Sequence, residues 1–385
     1  MAATQKKIAE PVQNHSGPGL FAFVAGLFLF VSILKFGNPV ILDDILVPPE
    51  NFLAAVFESW RVEWGYWLML PLIVTGLFAM RWKGLNLRWP LALCWVIRAG
   101  LQQHFGGLEA TRQLLSQMKD WADLPPGTLS NPAYLKRIAS SRIFSTFSNP
   151  DALAGAIELL LPVTLVFLWQ ITPKVRTSVR MGFVAILGGC GLACVFWSGS
   201  KGGWLITLIV GTIAFGHSTF SKKWKQILIY GLLIIGIAGF GIRYAASLQK
   251  QQVSVSTRFT YWRAAFQIAA KHPLLGTGPG TFSVLYSQIK QPGEDFARLC
   301  HNDYLEQASD SGFPGFLIYT GMILAYLSHL YRCRAKNTRA FSISFAVWLG
   351  LLGLCLHSAI DYHLYIPALA WPMFFLTGFA LNSKD

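Results

Sequence analysis

The chain has 385 residues, of which 53% are hydrophobic and 13% are charged. The charged share is about half that of soluble domains, which excludes an ordinary cytosolic enzyme and indicates a polytopic membrane protein. The formal net charge of +14 sits on connectors between apolar segments, as membrane topology requires, so we expect membrane lipids and not nucleic acid as partners.

About ten apolar segments follow one another along the chain, in a pattern typical of membrane-spanning helices. Helices are the natural form, because a helix satisfies its own backbone polar groups in lipid. The segments lie at 19–35, 66–80, 88–101, 152–170, 181–197, 202–217, 226–243, 313–331, 341–357 and 364–381. The sequence therefore predicts an all-α fold, a polytopic transmembrane helix bundle that forms a single integral membrane domain over residues 1–385.

The first segment follows Lys6 and Lys7, and this arrangement also fits a secretory signal peptide. No small-residue cleavage site comes after it, which favours a retained first span.

Short connectors rich in lysine and arginine alternate with connectors that are longer or less basic. Because basic connectors stay in the cytoplasm, this alternation and the even number of spans place both termini there. The basic residues are Arg81, Lys83, Arg88, Lys174, Arg176, Arg180, Lys222, Lys223, Lys225, Arg332, Arg334, Lys336 and Arg339. The segments expected to face outward are 36–65, 102–151, 244–312 and a short turn holding His357, Ser358, Asp361 and His363. Outer loops on a rigid bundle are a usual place for function.

Two ionisable residues precede the largest outer loop. Glu158 lies within the fourth apolar segment, where a carboxylate is a functional candidate, although a hydrogen bond to a polar neighbour explains it equally well. Lys201 lies in the outward turn of WSGSKGGWL, residues 197–205. Its ammonium group either snorkels to the membrane interface or faces the phosphates of a substrate.

The outer loop 244–312 begins with a predicted amphipathic helix over 257–271, which Pro273 ends. Arg258 and Trp262 are four residues apart and share a face of that helix, which Phe266 and Ala269 continue. One interpretation is a helix on the membrane surface whose arginines touch lipid phosphates. The other makes Arg258 a ligand of a diphosphate, for which a planar guanidinium is well shaped.

Three glycines, Gly276, Gly278 and Gly280, surround Pro279 in the same loop. Their spacing is not that of a dinucleotide-binding fingerprint, and no strand-to-helix context accompanies them. A tight structural turn is the favoured interpretation, and such a turn also lets backbone approach a substrate closely.

The stretch CHNDYLEQASDSGFPG, residues 300–315, is the most informative in the chain. Asn302 or Asp303 is predicted to cap a helix that runs to about Ser311, with Gly312 at its end. Directly before that helix stands His301, which could accept a proton near neutral pH and so activate a sugar hydroxyl.

Asp303, Glu306 and Asp310 are predicted to share one face of this helix. Three roles are open for these acids: a solvated loop surface, a divalent-cation site, or acid–base catalysis.

Together these stretches resemble the O-antigen ligase and polymerase family of bacterial envelope glycosyltransferases. The matching stretches are FSNPDALAGAIELLLPVTL (147–165), SGSKGGWL (198–205), RFTYWRAA (258–265), HPLLGTGPGTF (272–282), HNDYLEQASDSGFPG (301–315) and HSAIDYHLYIPALAW (357–371).

The resemblance implies a membrane glycosyltransferase of the GT-C type in the bacterial inner membrane. It implies transfer of a glycan from an undecaprenyl-diphosphate-linked donor at the periplasmic face, with inversion and without a metal or other cofactor. The acceptor is the lipid A core in ligases and another lipid-linked glycan in polymerases.

The resemblance also assigns roles, and it places the active site in the periplasmic loop 244–312. It implies that His301 serves the acceptor as the catalytic base, that Arg258 and Lys201 bind the diphosphate, and that no residue binds a metal. Many relatives carry an arginine at the position of Lys201. The possible supporting residues are Asn302, Asp303, Glu306, Trp262, Ser200 and Glu158.

We take a ligase-type glycosyltransferase as the first hypothesis and a polymerase with the same chemistry as the second. A small-solute transporter, for example of inorganic carbon, would need ionisable residues deep in the bundle at a broken helix. Only Glu158 is a clear candidate for such a residue, whereas the outer loop is rich in them. A structural role in an envelope assembly is the remaining alternative, if the basic residues touch only lipid.

Overall fold

A computed structural model describes residues 88–110, 113, 140–147, 149–217, 221–249, 254–278, 280–334 and 342–382. Throughout these residues the regular structure is helical, which confirms the predicted all-α fold for this part of the chain. The helices are α1 (Arg88–Gln102), α2 (Pro150–Ile171), α3 (Thr177–Ser198), α4 (Lys201–Gly216), α5 (Lys222–Gln249), α6 (Ser254–Lys271), α7 (Phe282–Ile289), α8 (Asp303–Arg334), α9 (Ile343–His357) and α10 (Pro367–Asn382). A π-helical turn, Gln103–Gly107, follows α1, and a 3₁₀ turn, His363–Tyr365, precedes α10.

Among the described residues, three helices are long and apolar enough to cross a membrane: Pro150–Ile171, Thr177–Ser198 and Asp303–Arg332. Three shorter apolar helices accompany them, at Lys201–Gly216, Ile343–His357 and Pro367–Ala380. The predicted count of about ten spans is therefore not confirmed. The predicted segments at 19–35 and 66–80, and the outer segment 36–65, lie outside the described residues.

The helix boundaries at the end of the bundle where α2 begins and α3 ends follow from local capping. Asn149 accepts a hydrogen bond from the backbone N–H of Asp151, and Pro150 stands in the first turn of α2, where a missing N–H costs nothing. Gly199, at φ +65°, ends α3, and the Ser200 hydroxyl accepts from Gly203 N to begin α4. The turn between α3 and α4 is therefore short and fixed at both sides.

Helix α8 breaks at Gly312, where φ is +70° and ψ is −178°. A second helical segment follows at once, so Gly312 marks a kink between two helical segments of α8, and the predicted helix end at Gly312 is confirmed. The backbone of Pro273 packs against this kink, because Pro273 O accepts from Phe313 N over 2.8 Å. Only glycine fits, since a Cβ here would meet the backbone of Pro273 and Leu274 and would be strained at this φ.

The core of the bundle lies between α2 and α9, which pack along each other more extensively than the other helix pairs. Gly350 allows this close approach, because a Cβ at that position would contact the backbone carbonyl of Leu159. Both helices are apolar on nearly every side, as expected for helices buried within a bundle.

Helices α6 and α7 form a smaller apolar cluster, built around Tyr261, Ala265, Phe282 and Tyr286. The predicted helix over 257–271 is confirmed within α6. Its predicted apolar face is wrong at one position, because the side chain of Phe266 is 55% exposed. The residues that α6 buries in this cluster are Tyr261, Ala264, Ala265 and Ile268.

We expect Gly350→Ala to destabilise the protein by about 1–3 kcal/mol, because the added methyl group overpacks the α2–α9 contact. Gly189→Ala is the matched control, since Gly189 also lies within a helix but has nothing within 4 Å of the place that an added methyl group would occupy. This control should leave stability unchanged or raise it by up to about 1 kcal/mol. Thermal unfolding of the detergent-purified proteins checks both, and equal shifts for the two variants would contradict the close contact.

Candidate active site

Four parts of the chain converge at one end of the bundle: the start of α2, the turn between α3 and α4, the segment 358–366, and α6 with the loop before α8. Backbone hydrogen bonds fix the relative positions of two of them, since Asp303 N donates to Ser358 O over 2.8 Å. The start of α8 is thereby attached to segment 358–366, directly after α9.

Arg258, on α6, reaches across to the start of α2 and to segment 358–366. Its Nη2 lies 3.4 Å from Asp361 Oδ2 and 3.5 Å from Asp151 Oδ2, and its Nη1 donates to Ile360 O over 2.5 Å. Burial disfavours the charged guanidinium, but Asp361 and Asp151 outweigh burial and raise the pKa of Arg258. This side chain is therefore a fixed cation at the site.

His301 pairs with the same carboxylate that holds Arg258. Its Nδ1 lies 3.0 Å from Asp361 Oδ1. Burial opposes ionisation of Asp361, but Arg258 and His301 hold the pKa of its carboxyl well below the usual range. An ionised Asp361 accepts the Nδ1–H of His301, which fixes the tautomer and leaves Nε2 as the nitrogen that can accept a proton.

The backbone of His301 is left-handed, with φ +55°, a conformation that costs energy for a residue other than glycine. Trp262 holds it there, because its Nε1–H donates to His301 O over 3.1 Å. The ring of Tyr362 lies against the imidazole at a centroid distance of 4.7 Å. Asn302 follows as the cap of α8 and accepts from the backbone N–H groups of Tyr304 and Leu305 at 3.0 Å each.

Exposure distinguishes His301 from the two other histidines at this end, His357 and His363. Its side chain is 26% exposed, whereas His357 and His363 are each 1% exposed. Burial raises the pKa of the neighbouring Tyr261 to about 12, so its hydroxyl stays protonated near neutral pH. His301 is thus the side chain in this group best placed to accept a proton from a bound molecule.

The three acids at the start of α8 are buried, which excludes the solvated-surface interpretation. Each accepts a backbone N–H from a loop: Asp303 from Leu364 over 2.8 Å, Glu306 from Cys300 over 2.6 Å, and Asp310 from Gly280 over 3.2 Å. In the described part of the chain, no three histidine, cysteine or acidic side chains are placed to hold a metal ion. These carboxylates attach the surrounding loops to α8.

The glycine turn serves the same attachment. Gly276, Gly278 and Gly280 all have positive φ, which confirms the predicted tight turn. Gly276 packs so closely on the backbone of Asp310 and Ser311 that no side chain fits.

Lys201 is the first residue of α4, at the same end of the bundle. Gly202, beside it, packs against the side chain of Ile360, whose carbonyl binds Arg258. The structure therefore places the turn of Ser200 and Lys201 next to segment 358–366.

Glu158 lies apart from this group. It is two helical turns, about 10 Å, below Asp151 on α2, and its Oε2 lies 2.9 Å from His357 Nδ1. It also lines an apolar cavity of about 470 Å³ between α2, α3, α4 and α9. The hydrogen-bonded interpretation of Glu158 is therefore confirmed, and the structure does not bring it to Arg258 and His301.

Sequence reasoning missed Asp151 and Arg142, and it named Asp361 only as part of an outer turn. Arg142 Nη2 lies 3.2 Å from Asp151 Oδ1. Asp151 follows Asn149 and Pro150, a context that indicates a helix start. An acid in the first turn of a helix is expected there, so the sequence offers no reason to predict its ion pairs. The sequence did contain a signal for Asp361, because this acid lies in a short turn rich in histidine that is predicted to face outward.

A family model described as O-antigen ligase matches residues 166–320. The match supports the assignment to the O-antigen ligase and polymerase family that the sequence resembles, and it implies a glycosyltransferase-like activity. No curated protein matches the chain. The matched residues include Lys201, Arg258 and His301, whereas Asp151 and Asp361 fall outside them.

We expect the ion pairs of Asp361 to make the protein sensitive to acid. Because the pKa of Asp361 is lowered in the folded protein, its stabilisation is complete above the unfolded value of about 3.9 and is lost as the pH falls below it. Thermal unfolding of detergent-purified protein between pH 6 and pH 3 should show the wild type losing its advantage over Asp361→Asn in that acid range.

Asp295→Asn is the control, because Asp295 is an exposed acid in the loop before α8. Its stability should follow that of the wild type at every pH. Parallel profiles for the wild type and Asp361→Asn would contradict the assigned pairing.

Proposed function

We propose that this chain is a ligase-type glycosyltransferase of the bacterial inner membrane. It moves a glycan from undecaprenyl diphosphate to an acceptor hydroxyl, that of the lipid A core, at the periplasmic face, and both termini are cytoplasmic. One observation carries the proposal: the two oxygens of Asp361 contact His301 and Arg258, at 3.0 and 3.4 Å. A fixed cation and a partly exposed imidazole thus share one site, as glycan transfer from a diphosphate requires.

The cation acts on the leaving group. When the bond between the sugar's anomeric carbon and the diphosphate oxygen breaks, the electron pair leaves with undecaprenyl diphosphate, and negative charge builds on its oxygens. A guanidinium already fixed beside those oxygens stabilises that charge without reorganising. Arg258 provides this group, and Lys201 adds a second positive charge from the neighbouring turn.

The imidazole acts on the acceptor. Its Nε2 takes the proton of the attacking hydroxyl as the new bond to the anomeric carbon forms. Asp361 keeps Nδ1 protonated and stabilises the imidazolium that results, a pairing that also operates in other enzymes with a histidine base. Attack opposite to the leaving diphosphate inverts the anomeric centre in one step, and the proposal needs no metal.

The geometry favours an enzyme over a transporter. Ionisable side chains gather at the outer end of the bundle, whereas Glu158, deeper in α2, pairs through one oxygen with His357. A polymerase would use the same residues with a lipid-linked glycan as acceptor. The two functions differ in the acceptor alone, and analysis of the lipopolysaccharide distinguishes them.

We expect His301→Ala to lower glycan transfer about 10²–10⁴-fold, because it removes the base. The variant is expressed in a host whose own copy is deleted, and lipopolysaccharide is analysed on gels.

Loss of long chains with accumulation of lipid-linked polymer identifies a ligase, and a core that carries a single repeat identifies a polymerase. Wild-type ladders from His301→Ala, at equal amounts of membrane protein, would eliminate the assigned base.

We expect Arg258→Ala to lower transfer about 10²–10³-fold, the usual effect of removing one donor to a developing anion. Arg258→Lys should restore part of this loss, because it keeps the charge and loses the two-pronged geometry.

Arg263→Ala is the matched control, since Arg263 lies on the same helix with an exposed side chain. It should transfer glycan at the wild-type rate. Equal activities for Arg258→Ala and Arg263→Ala would show that Arg258 has no contact with the donor.

A further inference from the structure

Arg142 lies on the opposite side of Asp151 from Arg258. Its Nη2 contacts Asp151 Oδ1 at 3.2 Å, while Arg258 Nη2 lies 3.5 Å from Asp151 Oδ2. One carboxylate therefore stands between two guanidinium groups, with one oxygen directed to each.

Backbone contacts hold Arg142 in this position. Its Nε donates to Ser198 O over 2.6 Å, and its side chain lies over Gly199, where a Cβ would come within 3.1 Å of it. Among the described residues, its Nη1 has no acceptor. A guanidinium has five N–H donors, so Arg142 keeps donors available for a further anion.

The exposed fractions of Arg142, Arg258 and Asp151 indicate the side from which an anion can reach them. The side chain of Arg142 is 40% exposed, that of Arg258 is 22% exposed and that of Asp151 is 13% exposed. The group is thus open on the side of Arg142 and closed around Asp361, which is 2% exposed.

We propose that Arg142 is a second guanidinium ligand of the donor diphosphate, and that the Asp151 carboxylate occupies the place of one phosphate until the donor binds. This inference rests on the proposed function. Two guanidinium groups that face one bridging anion match a diphosphate, whose two phosphates offer oxygens to both. Asp151 then positions the two arginines in the empty site. When the more highly charged diphosphate binds, it displaces the Asp151 carboxylate from its two ion pairs.

Binding of inorganic pyrophosphate to the full chain purified in detergent, measured by calorimetry without divalent ions, tests the inference. Arg142→Ala should weaken binding about tenfold or more, as expected for loss of a charge-assisted hydrogen bond. Arg142→Lys should weaken it less, and Arg263→Ala should bind as the wild type does. Asp151→Asn should bind pyrophosphate more tightly than the wild type, because the competing charge is gone.

The outcomes separate this inference from the proposed function. Unchanged pyrophosphate affinity in Arg142→Ala and Arg142→Lys, together with weaker binding by Arg258→Ala, would overturn the role of Arg142 alone. Unchanged affinity in all three variants, or no binding of pyrophosphate or undecaprenyl diphosphate by the wild type, would overturn the diphosphate site itself. A lower unfolding temperature with unchanged affinity in Arg142→Lys would show a purely structural ion pair, and weaker binding by Asp151→Asn would overturn its exchange with the donor.

Discussion

The site depends on one buried carboxylate, Asp361, which is shared between His301 and Arg258. A buried charge is stable only when its partners remain in place, because removal of one partner leaves an uncompensated ion away from water. The same carboxylate therefore fixes the imidazole of His301 and the guanidinium of Arg258 and sets the distance between them.

The helices position this arrangement through the loops that they hold. Asp303, Glu306 and Asp310 are buried acids, and each accepts a backbone N–H from a different loop segment, so the start of α8 acts as the common anchor. The left-handed backbone of His301 is kept by Trp262 on α6. Reactive groups on loops reach useful precision only when the surrounding shell is fixed in this way.

Local patterns predicted the local structure, while contacts between distant residues escaped them. The helix over 257–271, the cap at Asn302 and the glycine turn each depend on a few neighbouring residues, and all three are present. Asp151 and Arg258 are 107 residues apart in the sequence. The spacing of apolar residues describes only near neighbours in the chain, so it cannot predict such a contact. The exposed Phe266 shows the same limit, because which face of α6 is buried depends on α7 and on the loop before α8.

The two aspartates that hold Arg258 differ in what they touch, and this difference separates their roles. Asp361 contacts both Arg258 and His301, so displacing it would also disturb the position of the imidazole. The ion pairs of Asp151 are with Arg142 and Arg258, and a diphosphate can replace it there without affecting His301. The two arginines and two aspartates also balance in charge, which stabilises two neighbouring, partly buried cations in the empty site. In the proposed exchange, an anion that replaces Asp151 therefore enters a site whose two guanidinium groups are already in place, while Asp361 keeps His301 aligned.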